Sequence, residues 1–280
     1  MKRYPTVVAA GAGYVLSRFA EFAAEREIVL VGRSSDQRSA GSSVRCVSLD
    51  AGDYRGLLEI FKQLKPPLVL IDSVPPGKDG SVEANLNLSR LAKEGSFERA
   101  IYLSATSVYN GRGGVWVDES SPTEPTTPKG QARLRAEECY RACGVPSVVL
   151  RLSGIYGPGR SVADRLRRGS GEPSDAERYT NRIHVDDIVA VLERLIYDPP
   201  PLSNFEILNV SDDLPALKGE VTEYYTKKFS LPVRRVERAE TNAASSSEQN
   251  QRVSNKKLKT ILAPFSLKYP DYRAGAEAGF

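Results

Sequence analysis

The segment Thr6-Val-Val-Ala-Ala-Gly-Ala-Gly-Tyr-Val15 decides the fold, because it places a glycine turn between a strand and a helix. The apolar run Thr6–Ala10 predicts a buried strand, and Tyr14–Glu25 is predicted to be a helix. In this setting Gly11 permits a tight turn and Gly13 lets the backbone approach a phosphate, while the helix N-terminus supplies N–H donors. The segment therefore predicts a site for the pyrophosphate of a dinucleotide.

One glycine of the usual G-x-G-x-x-G spacing is missing from this turn. Leu16 stands at the third position, where a glycine normally lets the first helix pack closely on the sheet. We expect the helix to be displaced, or the site to be altered, as a result. A glycine turn that binds no ligand is the alternative interpretation.

Strand and helix patterns alternate through the first half of the chain. The predicted strands after the first are Ile28–Val31, Val44–Leu49, Leu68–Ile71, Ala100–Leu103 and Ser147–Arg151. The predicted helices after the first are Tyr54–Gln63, Val82–Lys93 and Gln131–Ala142. Strands that alternate with helices of this length predict an α/β fold with a Rossmann-type, doubly wound parallel sheet.

Beyond Arg151 the alternation is weaker. Residues 160–182 are expected to form irregular loops, and Glu240–Gln251 an exposed loop. The remaining predicted elements are the helices Asp187–Leu195 and Leu217–Lys228 and the strand Phe205–Asn209. We therefore expect a nucleotide-binding Rossmann core over residues 1–155. A smaller, mixed substrate lobe over residues 156–280 is expected to be interleaved with it in a single structural unit.

Composition and charge narrow the class of protein. The chain has 280 residues, a net charge of +4 and 40% hydrophobic residues, which suits a globular protein that binds a small anion. The basic balance is too weak for DNA binding and is the only feature that favours RNA. No apolar run approaches the roughly 20 residues of a membrane span, and the start lacks a signal-peptide pattern. Because Cys46, Cys139 and Cys143 lack zinc-finger spacing, we expect reduced thiols and a cytoplasmic protein.

The end of the second predicted strand indicates which dinucleotide binds. An NAD site usually has Asp or Glu here for the ribose hydroxyls, but the chain reads Val31-Gly-Arg-Ser-Ser35. Arg33 and Ser34 could hold a 2′-phosphate, which favours NADP over NAD. A solvated loop arginine is the alternative. Asp50, at the end of the third strand, either reaches the adenine or caps a short turn.

Seven segments, taken in order, carry a resemblance to a known family. They are Gly11–Val15, Leu103–Tyr109, Asp118-Glu119 with Pro122 and Pro125, Leu150–Gly159, Asn181–Asp187, Val253–Leu258 and Lys268–Tyr272. Together they resemble the extended short-chain dehydrogenase/reductase superfamily, in particular NAD-dependent epimerase/dehydratase-like proteins. The resemblance implies a nicotinamide cofactor along the C-terminal strand edges and a sugar-nucleotide-like substrate under the second lobe. The further cofactor contacts that it implies are Tyr14, Val15, Ser104 and Tyr156, and the substrate contacts are Ser107, Arg160 and Arg182.

The resemblance also implies a Ser/Thr–Tyr–Lys set, in which tyrosine moves a proton, lysine lowers its pKa and serine orients the carbonyl. This chain differs at all three positions, which read Ala105, Lys129 and Arg133. An arginine stays protonated and cannot replace tyrosine in proton transfer. The substitutes available are Thr106, Tyr109 and Lys129. Lys129 would act as a base only if it were buried beside the nicotinamide, and a solvent-facing lysine is the alternative.

The only histidine of the chain, His184, lies where the resemblance implies an anchor for the second lobe rather than a catalytic group. We expect Asp186 or Asp187 to cap the helix that follows. No group of His, Cys and carboxylate residues has metal-binding spacing, so no metal is expected.

Arginines are frequent between Gly159 and Arg182. They are Arg160, Arg165, Arg167, Arg168, Arg178 and Arg182. Guanidinium forks bind two phosphate oxygens at once, which suits the pyrophosphate of a substrate. An exposed surface of salt bridges is the alternative, because acidic residues in the same stretch partly balance the charge. Aromatic residues are too sparse here for a nucleic-acid groove.

Two functions stay open on the sequence. The first is an NADP-dependent epimerase, dehydratase or reductase that acts on a sugar-nucleotide-like or other polar anionic substrate. The second is a redox-inactive NADP-binding sensor or partner-binding protein, which the three replaced catalytic positions favour. The resemblance is also compatible with a homodimer built from the helices Val82–Lys93 and Gln131–Ala142, an interface common in this superfamily.

Overall fold

A computed structural model of the chain describes residues 4–22, 26–33, 43–169, 176–231 and 249–279. The strands are β1 (Thr6–Ala10), β2 (Ile28–Gly32), β3 (Val44–Ser48), β4 (Leu68–Asp72), β5 (Arg99–Ala105), β6 (Val115–Val117), β7 (Ser147–Leu152), β8 (Gly154–Tyr156), β9 (Tyr179–Thr180), β10 (Arg182–His184), β11 (Phe205–Val210), β12 (Ala216–Leu217) and β13 (Gln251–Val253). The helices are α1 (Tyr14–Glu21), α2 (Tyr54–Lys62), α3 (Glu83–Glu94), α4 (Pro128–Ala142), α5 (Val162–Arg167), α6 (Val185–Tyr197), α7 (Lys218–Lys228), α8 (Lys256–Leu262) and α9 (Tyr272–Glu277).

The central sheet has seven strands among the described residues, in the order β11-β7-β5-β4-β1-β2-β3. β1 pairs in parallel with β2 on one side and with β4 on the other. β2 pairs in parallel with β3, and β4 with β5. The strand order therefore reverses at β1, which is where open α/β sheets form a ligand crevice. The Rossmann-type fold predicted from the sequence is confirmed.

The described chain divides into two compact units. Unit 1 consists of Met1–Val108, Glu124–Arg151 and Ile188–Leu208, and unit 2 of Tyr109–Thr123, Leu152–Asp187 and Asn209–Phe280. In unit 1, β1 and β4 are buried along their whole length. Parallel strands that are covered on both faces have continuous apolar sequences, because neither face meets water. In unit 2 the short sheets β8–β10, β9–β12 and β6–β13 accompany a small core.

Each unit has its own apolar core. In unit 1, Leu57 and Phe61 of α2 and Leu88 and Leu91 of α3 pack in one buried cluster with residues of the central strands. The core of unit 2 joins helices α5, α7 and α9, and its buried members are Ala163, Leu166, Ala216, Val221, Tyr225, Tyr272 and Ala276. No helix of the described residues combines the length and the apolar character that crossing a bilayer requires.

Two helix boundaries differ by a few residues from those that the sequence patterns predicted. Helix α4 begins at Pro128 rather than Gln131, because the Thr127 hydroxyl accepts a bond from the Gly130 amide at 3.1 Å. Proline suits the first helical position, where its missing N–H costs nothing. Helix α1 ends at Glu21, and residues 23–25 of the predicted helix lie outside the described residues.

Two predictions for the second half are wrong. Residues 160–182 are not all irregular, because they contain α5, β9 and the first residue of β10. Helix α5 is short and rich in charge, but Ser161 and Asp164 cap it reciprocally with bonds of 3.0 and 2.8 Å. Gln251 does not belong to an exposed loop. It is buried at the start of β13, where its side chain accepts a bond from the Gly111 amide. Residues 240–248 lie outside the described residues.

Candidate functional site

The glycine turn of unit 1 requires glycine for two physical reasons. Gly11 has φ +96°, and a Cβ there would stand 3.0 Å from the carbonyl carbon of Ser73. Its amide donates to the Val31 oxygen at 2.8 Å, while the Gly13 amide donates to the Gly11 oxygen at 2.7 Å. The turn thus lies tightly against the ends of β2 and β4. A Cβ at Gly13 would meet only the Gly11 oxygen, at 4.0 Å, so the space beside Gly13 is open for a ligand.

Gly32 is a further glycine of the site, beside Gly11 and Gly13, and the sequence analysis did not single it out. A Cβ there would stand 2.7 Å from the Cβ of Ala12. Only glycine therefore lets the turn approach the end of β2. The signal in the sequence was a glycine that directly follows a buried apolar strand.

Leu16, at the position of the missing third glycine, is fully buried. It lies on the apolar face of α1 together with Val15, Phe19 and Ala20. The helix therefore packs on the sheet through a large side chain where a glycine is usual. Whether α1 is displaced relative to other proteins stays a prediction.

A cavity of about 640 Å³ opens beside the turn and is called here the glycine-turn pocket. Its lining includes Gly11 and Gly13, Arg33 after β2, Asp50 after β3 and the loop that follows β4. Asp50 also accepts a bond from the Gly52 amide at 2.8 Å, so it closes a short turn at the edge of the pocket. A cavity of this size suits a cofactor.

The structure thus brings together four of the predicted cofactor residues. Ser34 lies outside the described residues. Val15 is buried in the first turn of α1, and neither it nor Tyr14 is among the described residues that line the pocket. The role of these three residues stays a prediction.

A buried carboxylate lies at the base of the loop after β4. Asp72 is fully buried and accepts bonds from the Val74 amide at 2.7 Å, from Asn85 Nδ2 at 2.7 Å and from the Tyr140 hydroxyl at 2.6 Å. Burial raises its pKa to about 6, although these hydrogen bonds and the nearby Arg133 oppose the shift. Asp72 therefore joins β4 to helices α3 and α4 directly behind the pocket.

The three positions of the expected catalytic set have different surroundings. Ala105 ends β5, and Lys129 is exposed in the first turn of α4. Arg133 is half-buried one turn later, and its Nη1 donates to the Leu103 oxygen at 2.8 Å and to the Tyr102 hydroxyl at 3.3 Å. The arginine therefore attaches α4 to β5.

The β5 segment holds three further predicted residues. Ser104 is buried and donates to Glu137 Oε1 at 2.6 Å. Thr106 and Ser107 lie in a single 3-10 turn, Thr106–Val108. A Cβ at Gly130 would stand 2.7 Å from the Ser107 oxygen, so α4 begins in close contact with this turn. The proposed ligand contacts of all three stay predictions.

In unit 2 the two predicted tyrosines are bound within the protein. Tyr109 is fully buried and its hydroxyl donates to Asn209 Oδ1 at 2.9 Å. The Tyr156 hydroxyl donates to the Asp271 oxygen at 3.1 Å, and burial raises the pKa of Tyr156. Its ring is so close to Gly275 that a Cβ there would clash with it. Both hydroxyls therefore hold parts of unit 2 together.

His184 and Asp187 also make internal contacts in unit 2. The His184 ring is buried between Tyr156 and Tyr269, with centroid distances of 5.1 and 3.9 Å. Its Nδ1 accepts a bond from the Asp186 amide at 3.1 Å. Neither Asp186 nor Asp187 occupies the N-cap position of α6, since the helix begins at Val185 and both lie in its first turn. The two carboxylate oxygens of Asp187 accept bonds from the amides of residues 268 and 269 at 2.7 and 3.1 Å, which fixes the C-terminal segment.

A second cavity, of about 370 Å³, lies entirely in unit 2 and is called here the arginine pocket. Six cationic side chains line it, and no described lining residue has a carboxylate; the six are Arg160, Arg165, Arg168, Arg178, Arg182 and Lys218. Arg165 and Arg168 are exposed on and just after α5. The concentration of like charge favours an anionic ligand.

The side chain of Arg182 is held in the arginine pocket by contacts within unit 2. Its Nη1 donates to the Thr180 oxygen at 3.3 Å and its guanidinium lies 5.9 Å from the centre of the Tyr272 ring. Burial lowers its pKa, while the nearby Asp212 opposes this shift. Asp212 is itself buried, which raises its pKa well above the usual value. The predicted substrate residues Arg160 and Arg182 thus lie in one pocket, whereas Ser107 belongs to unit 1.

The described residues contain no group of His, Cys, Asp and Glu side chains that could hold a metal ion.

Comparisons with known proteins agree with this architecture. A family model described as the NAD dependent epimerase/dehydratase family matches residues 7–210. Protein YeeZ of Escherichia coli is 31% identical over 125 residues, which is 44% of each chain; the match therefore spans less than half of that relative.

Two solved structures are similar over nearly the whole chain. A functionally unknown conserved protein from Silicibacter pomeroyi is 31% identical, with a TM-score of 0.80 over 98% of this chain and 97% of that one. The UDP-glucose 4-epimerase of Thermotoga maritima, solved with UDP-glucose, has a TM-score of 0.80 at 16% identity over 96% of both chains, which shows the same fold. Since the family model covers well over half of the chain, the protein belongs to the NAD-dependent epimerase/dehydratase family.

Proposed function

We propose that this protein is an NADP-dependent enzyme of the epimerase/dehydratase type that acts on a sugar nucleotide or a similar polar anion. The observation that carries the proposal is the arginine pocket, because cofactor binding in unit 1 does not require it. A nucleoside diphosphate has a pyrophosphate that guanidinium groups bind through paired hydrogen bonds. UDP-glucose in the Thermotoga maritima structure is a ligand of this class.

The glycine-turn pocket supports the cofactor part of the proposal. Gly11 lies so close to Ser73, and Gly32 to Ala12, that a Cβ at either glycine would clash with these residues, while the space beside Gly13 is open. Helix α1 begins directly after the turn. Backbone amides at a helix N-terminus bind phosphate. Arg33 lines the same pocket at the end of β2, which favours NADP because its guanidinium can pair with a 2′-phosphate.

Bound NADP would supply the hydride acceptor or donor of the reaction. The protein residues that bind and orient the ligands are the turn amides and Arg33 in unit 1 and the arginine pocket in unit 2. We propose that the usual Ser/Thr–Tyr–Lys set is absent, since its positions hold Ala105, Lys129 and Arg133. Arg133 is bonded to Leu103 and Tyr102 and stays protonated, so it does not move a proton.

The test measures binding and turnover separately. Isothermal titration calorimetry of the protein with UDP-glucose should show binding that weakens at least tenfold in the double variant Arg165→Gln/Arg168→Gln, since two phosphate contacts are lost. Arg167→Gln is the matched control, because Arg167 is on the same helix, pairs with Asp164 and does not line the pocket. Equal affinity of the double variant and the control for UDP-glucose would contradict the proposal that the arginine pocket binds a sugar nucleotide. Epimerases and dehydratases return the hydride to the substrate, so NADP is not consumed and the sugar product has to be measured. Absence of any epimerised, dehydrated or oxidised product across a panel of sugar nucleotides incubated with NADP would contradict the proposal that the protein is an enzyme.

A second function, a redox-inactive NADP-binding sensor, is favoured by one observation. Three described groups that could replace the missing tyrosine and lysine have internal partners: Arg133 bonds to Leu103, Tyr109 to Asn209 and Tyr156 to Asp271. Lys129 is exposed rather than buried, and exposure does not favour a base with a lowered pKa. Transfer of deuterium from labelled NADPH into any product would rule this function out. In either case we propose a cytoplasmic protein, in keeping with the free thiols of its three cysteines.

A further inference from the structure

We propose that the loop 74–82 is a preformed wall of the glycine-turn pocket, and that Lys78 at its tip pairs with the pyrophosphate of the bound dinucleotide. The inference rests on the proposed function, since it concerns the same cofactor. It assigns the residue that neutralises the pyrophosphate charge.

The base of the loop is fixed by buried groups. The Val74 amide donates to Asp72 at 2.7 Å, and the Val74 oxygen accepts a bond from Asn85 Nδ2 at 3.0 Å. Asp72 in turn accepts the Tyr140 hydroxyl. Both polar groups of the Val74 backbone are thus held by side chains from β4 and α3, which gives the loop a defined direction as it leaves the sheet.

The tip of the loop is a closed turn. The Gly77 amide donates to the Ser81 oxygen at 2.7 Å, and the Gly80 amide donates back to the Gly77 oxygen at 2.9 Å. Asp79 accepts the Ser81 amide at 2.9 Å, and Arg135 of α4 donates to the Gly80 oxygen at 3.0 Å. These bonds, all within the protein, define the backbone that carries Lys78, and a preformed contact loses less entropy on binding.

The sheet order indicates which phosphate Lys78 meets. Lys78 lines the same pocket as Gly11 and Gly13, but its loop follows β4, which lies on the opposite side of β1 from β2. Arg33 follows β2 and is on the adenosine side. Lys78 therefore approaches the turn from the side away from the 2′-phosphate, where the pyrophosphate lies over the helix N-terminus.

The other charges of the pocket are compatible with this pairing. Its carboxylates among the described lining residues are Asp50 and Glu83. Asp50 is bound by the Gly52 amide. Glu83 is in the first turn of α3, where the helix dipole favours its charge. Lys78 is exposed, so its ammonium group is accessible to an anion in the pocket.

The experiment compares NADPH and NADH binding by calorimetry at two salt concentrations. Lys78→Gln should weaken both cofactors by the same factor, about three- to tenfold, because both have a pyrophosphate. The dependence of binding on salt should also decrease. Arg33→Gln should weaken NADPH alone. Lys93→Gln, an exposed lysine of α3 that does not line the pocket, is the control and should leave both affinities unchanged.

The outcomes separate this inference from the proposed function. If the wild-type protein binds neither cofactor, the proposed function fails. If the wild-type protein binds and Lys78→Gln binds equally well, or loses affinity for NADPH alone, the assignment of Lys78 to the pyrophosphate is overturned. An unchanged unfolding temperature of Lys78→Gln confirms that any loss of affinity does not come from misfolding.

Discussion

Glu137 and Arg151 form a buried ion pair inside unit 1, with 1% and 3% of their side chains exposed. Arg151 Nε donates to Glu137 Oε1 at 3.1 Å, and Nη2 donates to Oε2 at 2.7 Å. Ser104 adds a third bond to Glu137. The pair connects α4 to β7 next to the strand that ends in Ala105. A charged pair thus takes the place of apolar packing at the helix that carries Lys129 and Arg133, two of the three positions at which a catalytic set was expected.

Removing one partner of this pair should lower the free energy of unfolding far more than removing both. Arg151→Met leaves an unpaired buried carboxylate, which should lower the free energy of unfolding by about 3–5 kcal/mol. The double variant Glu137→Leu/Arg151→Met buries no charge and should recover most of this loss. Urea unfolding of the three proteins measures the difference. A double variant that is less stable than Arg151→Met would show that the pair is needed for more than charge balance.

Asp72 should make stability depend on pH below neutrality. Its pKa in the folded protein is about 6, above the ordinary value of 3.8, mainly because of burial. Between these values the folded protein holds a proton that the unfolded chain has lost, so stability should fall as pH rises from about 4 to 6 and then level off. A shift of this size corresponds to about 3 kcal/mol.

The variant Asp72→Asn isolates this contribution, because asparagine does not titrate. Urea unfolding at pH 4, 5, 6 and 7 should show a steeper decline for the wild-type protein than for the variant. Other buried carboxylates, such as Asp212, contribute equally to both proteins and cancel in the comparison. Parallel pH profiles would mean that Asp72 keeps an ordinary pKa.

Gly11→Ala should abolish cofactor binding and weaken the fold. The residue has a positive φ and a Cβ would press on the Ser73 backbone, so we expect a loss of about 1–3 kcal/mol of stability. Gly113→Ala is the control, because Gly113 also has a positive φ, of +62°, but no atom within 4 Å of a Cβ. It should cost about 1 kcal/mol and keep any increase in unfolding temperature that NADPH produces in the wild-type protein. If the two variants lost the same stability and bound NADPH equally well, the contact between a Cβ at residue 11 and the Ser73 backbone would not matter for the turn.

Arg133→Ala should reduce stability without changing any hydride transfer that the protein performs. The variant loses the bonds to Leu103 and Tyr102, and we expect a cost of about 1–3 kcal/mol in urea unfolding. Exchange of deuterium from labelled NADPH should proceed at the wild-type rate when measured below the unfolding transition. A hundredfold slower exchange in a folded variant would assign Arg133 to the reaction.

The sequence predicted most of the strands, turns and helices whose conformation depends on residues close by in the chain. Apolar runs such as Thr6–Ala10 and the glycines at 11 and 13 decide strand, turn and helix locally, since backbone conformation and periodicity act over a few residues. The sequence analysis did not predict the short helix α5, because half of its residues are charged and no apolar periodicity marks it. The sequence analysis also did not predict that the loop 74–82 lines the pocket, because no periodic pattern describes the path of a loop.

By itself, the sequence determined the Rossmann-type fold and the place of the glycine turn, because both follow from local conformational preference and from the burial of apolar strands. Only the tertiary structure decided what the polar side chains do. Tyr140 reaches Asp72 across 68 residues of chain, and Tyr109 reaches Asn209 across 100. A hydrogen bond depends on distance in space, and the packing of helices on the sheet sets that distance independently of the spacing in sequence.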